Sequence, residues 1–201
     1  MRRIVLFACM IMLLSILCST NAATKISGYS LKQQGSSLKN FNYEIDGDKI
    51  KLTLYIGEEE STVVPSVFTI DGKTYKTDLS NFMVGITNEY PKEILFSEGI
   101  EELPLYVFNS CRVIKFYLPK SLKKWSPSGL SYFGSRKDKP IKVYYAGSIE
   151  EFEELLKNNV SWYSEEDKQN LNVFLDLDFD ASDFDFIFEA TEEDYFSGEY
   201  D

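Results

Sequence analysis

The sequence predicts a mainly β protein with minor α content, built as a short solenoid of stacked repeats between an N-terminal β-hairpin region and a C-terminal capping helix. Three observations predict it: two Asp-Gly turns between β-forming segments, an internal repeat with an offset of 22 residues, and a capping box that opens an amphipathic helix. The chain has 201 residues, of which 44% are apolar, so it can bury one sizeable core.

The composition excludes several classes of function. The chain has no histidine, so it cannot build a Ser-His-Asp or Cys-His catalytic unit, an imidazole-ligated zinc site or a histidine pH switch. It carries 32 acidic and 21 basic residues, a formal charge of −11, which argues against nucleic acid as a partner. We therefore expect a protein that is not an enzyme and has no catalytic residues, no cofactor and no bound metal.

Residues 1–22 are predicted to be a secretory signal peptide. Two arginines precede the apolar run at 4–17, and small and polar residues follow it, as at a cleavage site. This run is too short to span a bilayer as a helix, so no stable membrane span is expected after cleavage. Plain secretion is favoured over lipid modification of Cys18, because Cys18 follows Leu17 rather than a small residue. Residues 23–40 are then a linker.

Signal removal redistributes the charge of the chain. The mature chain has a net charge of −13 and one thiol, Cys111, which we expect to be buried. Residues 176–201 contain 11 acidic residues and no Lys or Arg, which leaves residues 23–175 near neutral at −2. This acidic, aromatic-rich tail is predicted to be disordered. An extra strand at residues 184–188 and a short linear motif for a partner remain open as alternatives.

Acidic motifs in the chain could suggest a metal site or hydrolytic chemistry. The stretch that begins at Asp176 resembles a calcium loop, but Ala181 stands where the loop needs Gly and Ile187 where it needs Glu. Adjacent carboxylates such as Glu101 and Glu102 point to different faces, so they do not form a glycosidase pair. Solvated acidic surface is the favoured interpretation of both motifs.

Two β-hairpins are predicted in the first part of the mature chain. Their turns are Asp46-Gly47 and Asp71-Gly72, because Gly accepts the positive φ of a type I′ turn and Asp tolerates it. In the return strand of the first hairpin, alternation predicts that Leu52, Leu54 and Ile56 share the buried face.

The central segment contains the 22-residue repeat. Residues 93–108 overlay residues 115–130, and Trp125 then takes the position of Leu103, so we expect Trp125 in the core. The apolar matches are Ile94 with Phe116, Phe96 with Leu118, Ile100 with Leu122, Leu103 with Trp125, and Phe108 with Leu130. The polar positions also coincide, with different charges. A short strand that recurs with this period is typical of a leucine-rich repeat solenoid.

The end of the repeat region is predicted to be a strand followed by the capping helix. The strand is 141–145, with Val143 lying 25 residues after Leu118. Ser148 and Glu151 form a capping box, and the helix is expected to stop near residues 157–159. Its predicted apolar face comprises Ile149, Phe152, Leu155 and Leu156. A last strand is predicted at residues 171–175.

These motifs together resemble the BspA-type leucine-rich repeat proteins of bacterial surfaces and secretions. The resemblance covers residues 41–157, and the repeat domain is predicted to span residues 41–175. The motifs that carry it are Tyr43-Glu44-Ile45-Asp46-Gly47, Ile70-Asp71-Gly72-Lys73-Thr74-Tyr75, Phe96-Ser97-Glu98-Gly99-Ile100, Leu118-Pro119-Lys120-Ser121-Leu122 and Val143-Tyr144-Tyr145-Ala146-Gly147-Ser148. The second repeat departs from the family pattern, because Leu130-Ser131-Tyr132-Phe133 stands where Phe108-Asn109-Ser110-Cys111 stood.

The resemblance implies an extracellular binding or adhesion module whose partner is an extracellular or surface protein, and the family has no catalytic residues to carry over. A structural scaffold that binds through the acidic tail is the alternative, and a carboxylate-based hydrolase has the least support. Tyr106, Tyr132 and Tyr144 are the candidate contact residues. Tyr144 is expected on the exposed sheet face, because Val143 and Tyr145 occupy the other face of the strand.

Overall fold

The computed structural model describes residues 37–84, 90–109, 111–126, 128–131, 139–160 and 180–198. These residues form two β-sheets with a few short helices, so the predicted mainly β fold with minor α content is confirmed. The strands are β1 (Phe41–Asp46), β2 (Lys49–Tyr55), β3 (Ser61–Val64), β4 (Val67–Ile70), β5 (Lys73–Asp78), β6 (Glu93–Phe96), β7 (Lys115–Leu118), β8 (Ile141–Tyr145) and β9 (Phe184–Ile187). The helices are α1 (Ser128–Ser131), α2 (Ile149–Asn158) and α3 (Glu192–Ser197).

The two sheets differ in how their strands pair. The first has four strands in the order β1-β2-β5-β4, with two antiparallel hairpins joined by the parallel pair β2–β5. The second has five strands in the order β3-β6-β7-β8-β9, and all of its pairs are parallel. A parallel sheet needs a crossover between successive strands and is normally covered on both faces.

Both predicted hairpins form, but their turns use different residues. In the second, Asp71 and Gly72 both have positive φ, 50° and 78°, as a type I′ turn requires. In the first, Asp46 pairs with Lys49, so Gly47 and Asp48 form the turn, and Gly47 alone has positive φ, at 63°. The prediction that Asp46-Gly47 forms this turn is therefore wrong by one residue.

A β-bulge changes which residues of β2 face the core. Asn42 pairs with Leu54 and Tyr43 with Leu52, so Thr53 is the extra residue. After the bulge, Tyr55 takes the buried position that simple alternation assigns to its neighbours. Leu52 is buried as predicted, whereas Ile56 is 43% exposed. The predicted face is thus wrong beyond the bulge.

The 22-residue offset is confirmed as the register between β6 and β7. Ile94 pairs with Phe116, and Glu93 with Lys115. The next strand follows a different spacing, since Phe116 pairs with Val143, 27 residues away. The spacing of 25 residues between Leu118 and Val143 therefore differs by two residues from the register of 27 between β7 and β8.

The main core lies on the inner face of the five-stranded sheet and continues to the four-stranded sheet. Phe108 and Phe116 have ring centroids 4.6 Å apart, and Trp125 contacts both rings edge-on. Trp125 and Cys111 are buried, as the sequence predicts.

Helix α2 begins as predicted. The Ser148 amide donates to the Glu151 carboxylate at 2.9 Å, and the Glu151 amide donates to the Ser148 hydroxyl at 3.3 Å. Phe152, Leu155 and Leu156 are buried, whereas Ile149, which the sequence places on the same face, is exposed. The Phe152 ring contacts Tyr145 and Phe186, so the helix packs against the β8–β9 end of the sheet.

The C-terminal residues 180–198, here called the strap, are ordered rather than disordered. Strand β9 pairs with β8, which places Phe186 beside Val143 and extends the inner face by one strand. Helix α3 follows and buries Tyr195. The predicted disorder is wrong for these residues, because the edge of β8 and an apolar sheet face give the strap's aromatics a place to pack. The predicted strand at 171–175 lies outside the described residues.

Candidate functional site

A cleft of about 640 Å³ lies between the four-stranded sheet and the turn that follows β6. Its buried floor is Leu79 and Ile100. The side chains that give this intersheet cleft its chemistry are Lys49, Val67, Lys76, Asp78, Glu101 and Glu102. The volume lies within the usual range for ligand pockets.

The parallel pairing of β2 with β5 builds the first wall of the intersheet cleft. It places Lys49 beside Lys76 and Lys51 beside Asp78. The Lys49 ammonium lies 3.9 Å from the Asp78 carboxylate. Val67, at the start of β4, pairs with Lys76 and leaves 48% of its surface exposed. This wall therefore presents cations beside an apolar patch.

The turn after β6 builds the second wall and depends on Gly99. Gly99 has φ of 94°, and a Cβ there would lie 2.9 Å from the Ser66 hydroxyl. A residue with a side chain would be strained and would push the turn away from β4. Glu101 and Glu102 follow directly, so this wall is acidic and faces the lysines of the first.

Two carboxylates of the intersheet cleft, those of Asp78 and Glu101, have lowered pKa values and are held in the charged form. Burial acts to raise the pKa of Asp78, but hydrogen bonds from Ser80 and the charges of Lys49 and Lys51 outweigh it, so that pKa is lowered. The Lys123 ammonium lies 2.5 Å from the Glu101 carboxylate and lowers the pKa of Glu101 through a hydrogen bond and through its positive charge. The positive charge of Lys76 lowers this pKa further.

A charge ladder joins the two 22-residue repeats. It consists of three acid–base pairs at equivalent repeat positions: Glu93 with Lys115 at 3.4 Å, Glu101 with Lys123 at 2.5 Å, and Glu102 with Lys124 at 3.4 Å. At these three positions, the opposite charges that the overlay reveals in the sequence are thus cross-repeat ion pairs. In addition, the Glu98 carboxylate accepts the backbone N–H groups of Lys120 and Ser121.

Of the three predicted contact residues, one is exposed, one is buried and one lies outside the described residues. Tyr106 lies in a separate turn at residues 105–109 and is 48% exposed, as a contact residue requires. Tyr132 lies outside the described residues. Tyr144 is only 5% exposed, so its expected exposure is wrong: the ring of Tyr195 from the strap packs edge-on against it with centroids 5.6 Å apart.

Sequence reasoning missed the cationic wall of the intersheet cleft. Lys49 and Lys76 meet only through the parallel pairing of two hairpins, and neither hairpin signal predicts that pairing. The acidic wall had a signal, because Glu101 and Glu102 belong to the repeat overlay.

Among the described residues, no three Asp, Glu or Cys side chains cluster so that they could hold a metal ion. Within the same ranges, no helix is long and apolar enough to cross a membrane. Comparison of the chain with family models, curated proteins and solved structures finds no match.

Proposed function

We propose that the chain is a non-catalytic, protein-binding leucine-rich repeat protein that is secreted or held at the cell surface. The sequence motifs support the repeat class through their resemblance to the BspA type. The in-register pairing of β6 and β7 at the repeat offset supports it too, since neighbouring repeats of a solenoid stack in this way.

The intersheet cleft is the observation that carries this proposal. Its two walls have opposite charge, with Lys49 and Lys76 facing Glu101 and Glu102, over an apolar floor. An extended protein segment that has an acidic, an apolar and a basic side chain in succession complements such a cleft. Electrostatic complementarity of this kind fixes the register and orientation of a partner.

Binding fits the titration behaviour of the cleft better than hydrolysis. A glycosidase needs one carboxyl group whose pKa is raised so that it can donate a proton near neutral pH. The pKa values of Asp78 and Glu101 are instead lowered. Both groups are therefore suited to ion pairing.

A structural scaffold that binds through its acidic tail is the second candidate. We rank it lower because residues 180–198 pack against the chain's own sheet through β9 and Tyr195. Secretion rests on the signal peptide pattern at residues 1–22.

A peptide-display selection on the immobilised full-length chain tests the proposal. Enriched peptides are expected to contain acidic, apolar and basic residues in succession. Their binding should fall about tenfold or more on a Lys76→Glu chain, because the substitution reverses one cationic contact.

The matched control is Lys39→Glu, which makes the same charge change at an exposed lysine outside the cleft. The control should retain binding. Peptides that bind the Lys76→Glu and wild-type chains equally would place the binding surface elsewhere and contradict the proposal.

A further inference from the structure

The outer face of the five-stranded sheet carries a row of apolar side chains. The register places Val63, Leu95, Tyr117 and Tyr144 side by side on adjacent strands. All four are buried together with Ala190 and Tyr195 of the strap. The row is therefore shielded from water by a segment that arrives from the far end of the chain.

One aromatic residue makes the central contact of the strap. The Tyr195 ring lies 6.0 Å from the Tyr117 ring and 5.6 Å from the Tyr144 ring, both edge-to-face. This geometry is the favoured one for aromatic pairs. The backbone adds further contacts, since the Glu189 and Ala190 amides donate to the Gly147 and Tyr145 carbonyls at 2.8 and 3.0 Å.

A buried cation lies beneath the strap. Lys115 is 3% exposed, and its ammonium lies 4.6 Å from the Tyr195 ring centroid. It also donates to the Gly198 carbonyl at 3.0 Å and pairs with Glu93 at 3.4 Å. The strap thus supplies two of the groups that compensate this charge: an aromatic face and, three residues later, a backbone carbonyl.

Helix α3 of the strap needs contact with this surface in order to remain helical. Helix α3 has six residues, and a helix this short is marginal in water unless it packs. The strap contains seven acidic residues and no Lys or Arg, so it stays solvated when undocked. The part of the strap that follows β9 makes fewer core contacts than β9 itself, so we expect it to open at lower free energy than the sheet it covers.

We propose that the outer face is a peptide-docking surface that the strap fills in cis and that accepts an acidic peptide with a tyrosine in trans. The tyrosine enters between Tyr117 and Tyr144, and a carbonyl three residues later reaches Lys115. The tethered strap competes at high effective concentration, so an external peptide binds well only when the strap is weakened. This surface is separate from the intersheet cleft and does not rest on the function proposed for it.

The test uses the full-length chain and a fluorescent synthetic peptide of residues 180–198, with binding followed by anisotropy. A chain carrying Tyr195→Ala should bind this peptide with a Kd about tenfold or more below that of the wild-type chain, because its own strap competes poorly. A peptide carrying the same substitution should bind neither chain. A purely structural role for Tyr195 would not tighten binding in trans.

Gly198→Ala provides a second variant that leaves the aromatic anchor intact. Its Cβ would overlap the Tyr144 hydroxyl and lie 3.0 Å from the Asp194 carbonyl, so the strap should lift and peptide binding should again tighten. Glu193→Ala, at an exposed position of the same helix, is the matched control and should behave as wild type. Equal peptide affinity for the wild-type, Tyr195→Ala and Gly198→Ala chains, or no binding to any, overturns the proposal.

Discussion

The two faces of the five-stranded sheet are equally buried but are covered in different ways. The inner face, with Phe116 at its centre, packs against α2 and the four-stranded sheet as part of the main core. The outer face, with Tyr117 at its centre, is covered by the strap. All four residues of β7 are buried as a result. Strand alternation thus tells which residues share a face, whereas burial depends on what covers that face.

The largest predicted effect is a difference in the stability lost when a central side chain is removed from each face. Phe116→Ala should lower the free energy of unfolding by about 4 kcal/mol, because it leaves a cavity among the closely packed aromatic rings of the inner face. Tyr117→Ala should cost about 2 kcal/mol, because the strap can move or open to relieve the loss. Chemical denaturation followed by circular dichroism measures both. Equal losses would show that the outer face belongs to the same cooperative core.

The next prediction concerns the buried charge on the outer face. Glu93→Gln should lower the free energy of unfolding by about 2 kcal/mol, because the Lys115 ammonium remains buried without its carboxylate partner. Glu101→Gln, which removes the same charge from the exposed pair with Lys123, should have a much smaller effect. Thermal and denaturant unfolding of the two variants compare these positions directly. A similar loss in both would contradict the burial of Lys115.

A smaller effect is expected from an exposed pair of the charge ladder that lies outside the strands, Glu102 with Lys124. Glu102→Lys and Lys124→Glu should each cost about 0.5 kcal/mol by placing like charges across the repeat interface. The double exchange should recover most of that loss, and added salt should weaken all three effects. A double-mutant cycle by denaturation measures the coupling. Strict additivity would mean that the pair does not contribute to stacking.

The smallest effect is a dependence of stability on acid. Because Lys123 lowers the pKa of Glu101 below its ordinary value of 4.5, the folded state binds that proton less tightly than the unfolded state. This contribution to stability is present above the unfolded pKa and is lost as the pH falls through the folded pKa. The wild-type chain should therefore lose stability with a steeper slope than Glu101→Gln as the pH falls below 4.5. Identical slopes would contradict the shift.

Local signals predicted much of the fold correctly. The box at Ser148 and Glu151 specifies where α2 begins, since both partners lie within one turn. The repeat overlay gives the β6–β7 register and the burial of Trp125, because the two segments pair at that offset and their equivalent apolar residues share one core. The second hairpin turn, at Asp71, follows from backbone preferences alone.

Features that depend on residues far apart in the chain could not be predicted from local sequence patterns. The bulge at Thr53 is set by the pairing with β1, and it reverses the face of the residues that follow. The cationic wall of the intersheet cleft needs the parallel pairing of Lys49 with Lys76. Tyr144 was placed on the correct face of its strand, but no local pattern shows that Tyr195, 51 residues later, covers it.

Tyrosine nitration of the native chain, mapped by mass spectrometry, tests most directly whether the strap covers the outer face of the sheet. Tyr106 is exposed, whereas Tyr117 and Tyr144 lie beneath the strap. The structure predicts rapid nitration of Tyr106 and protection of Tyr117 and Tyr144. Nitration of Tyr144 at the rate of Tyr106 would contradict the covered outer face.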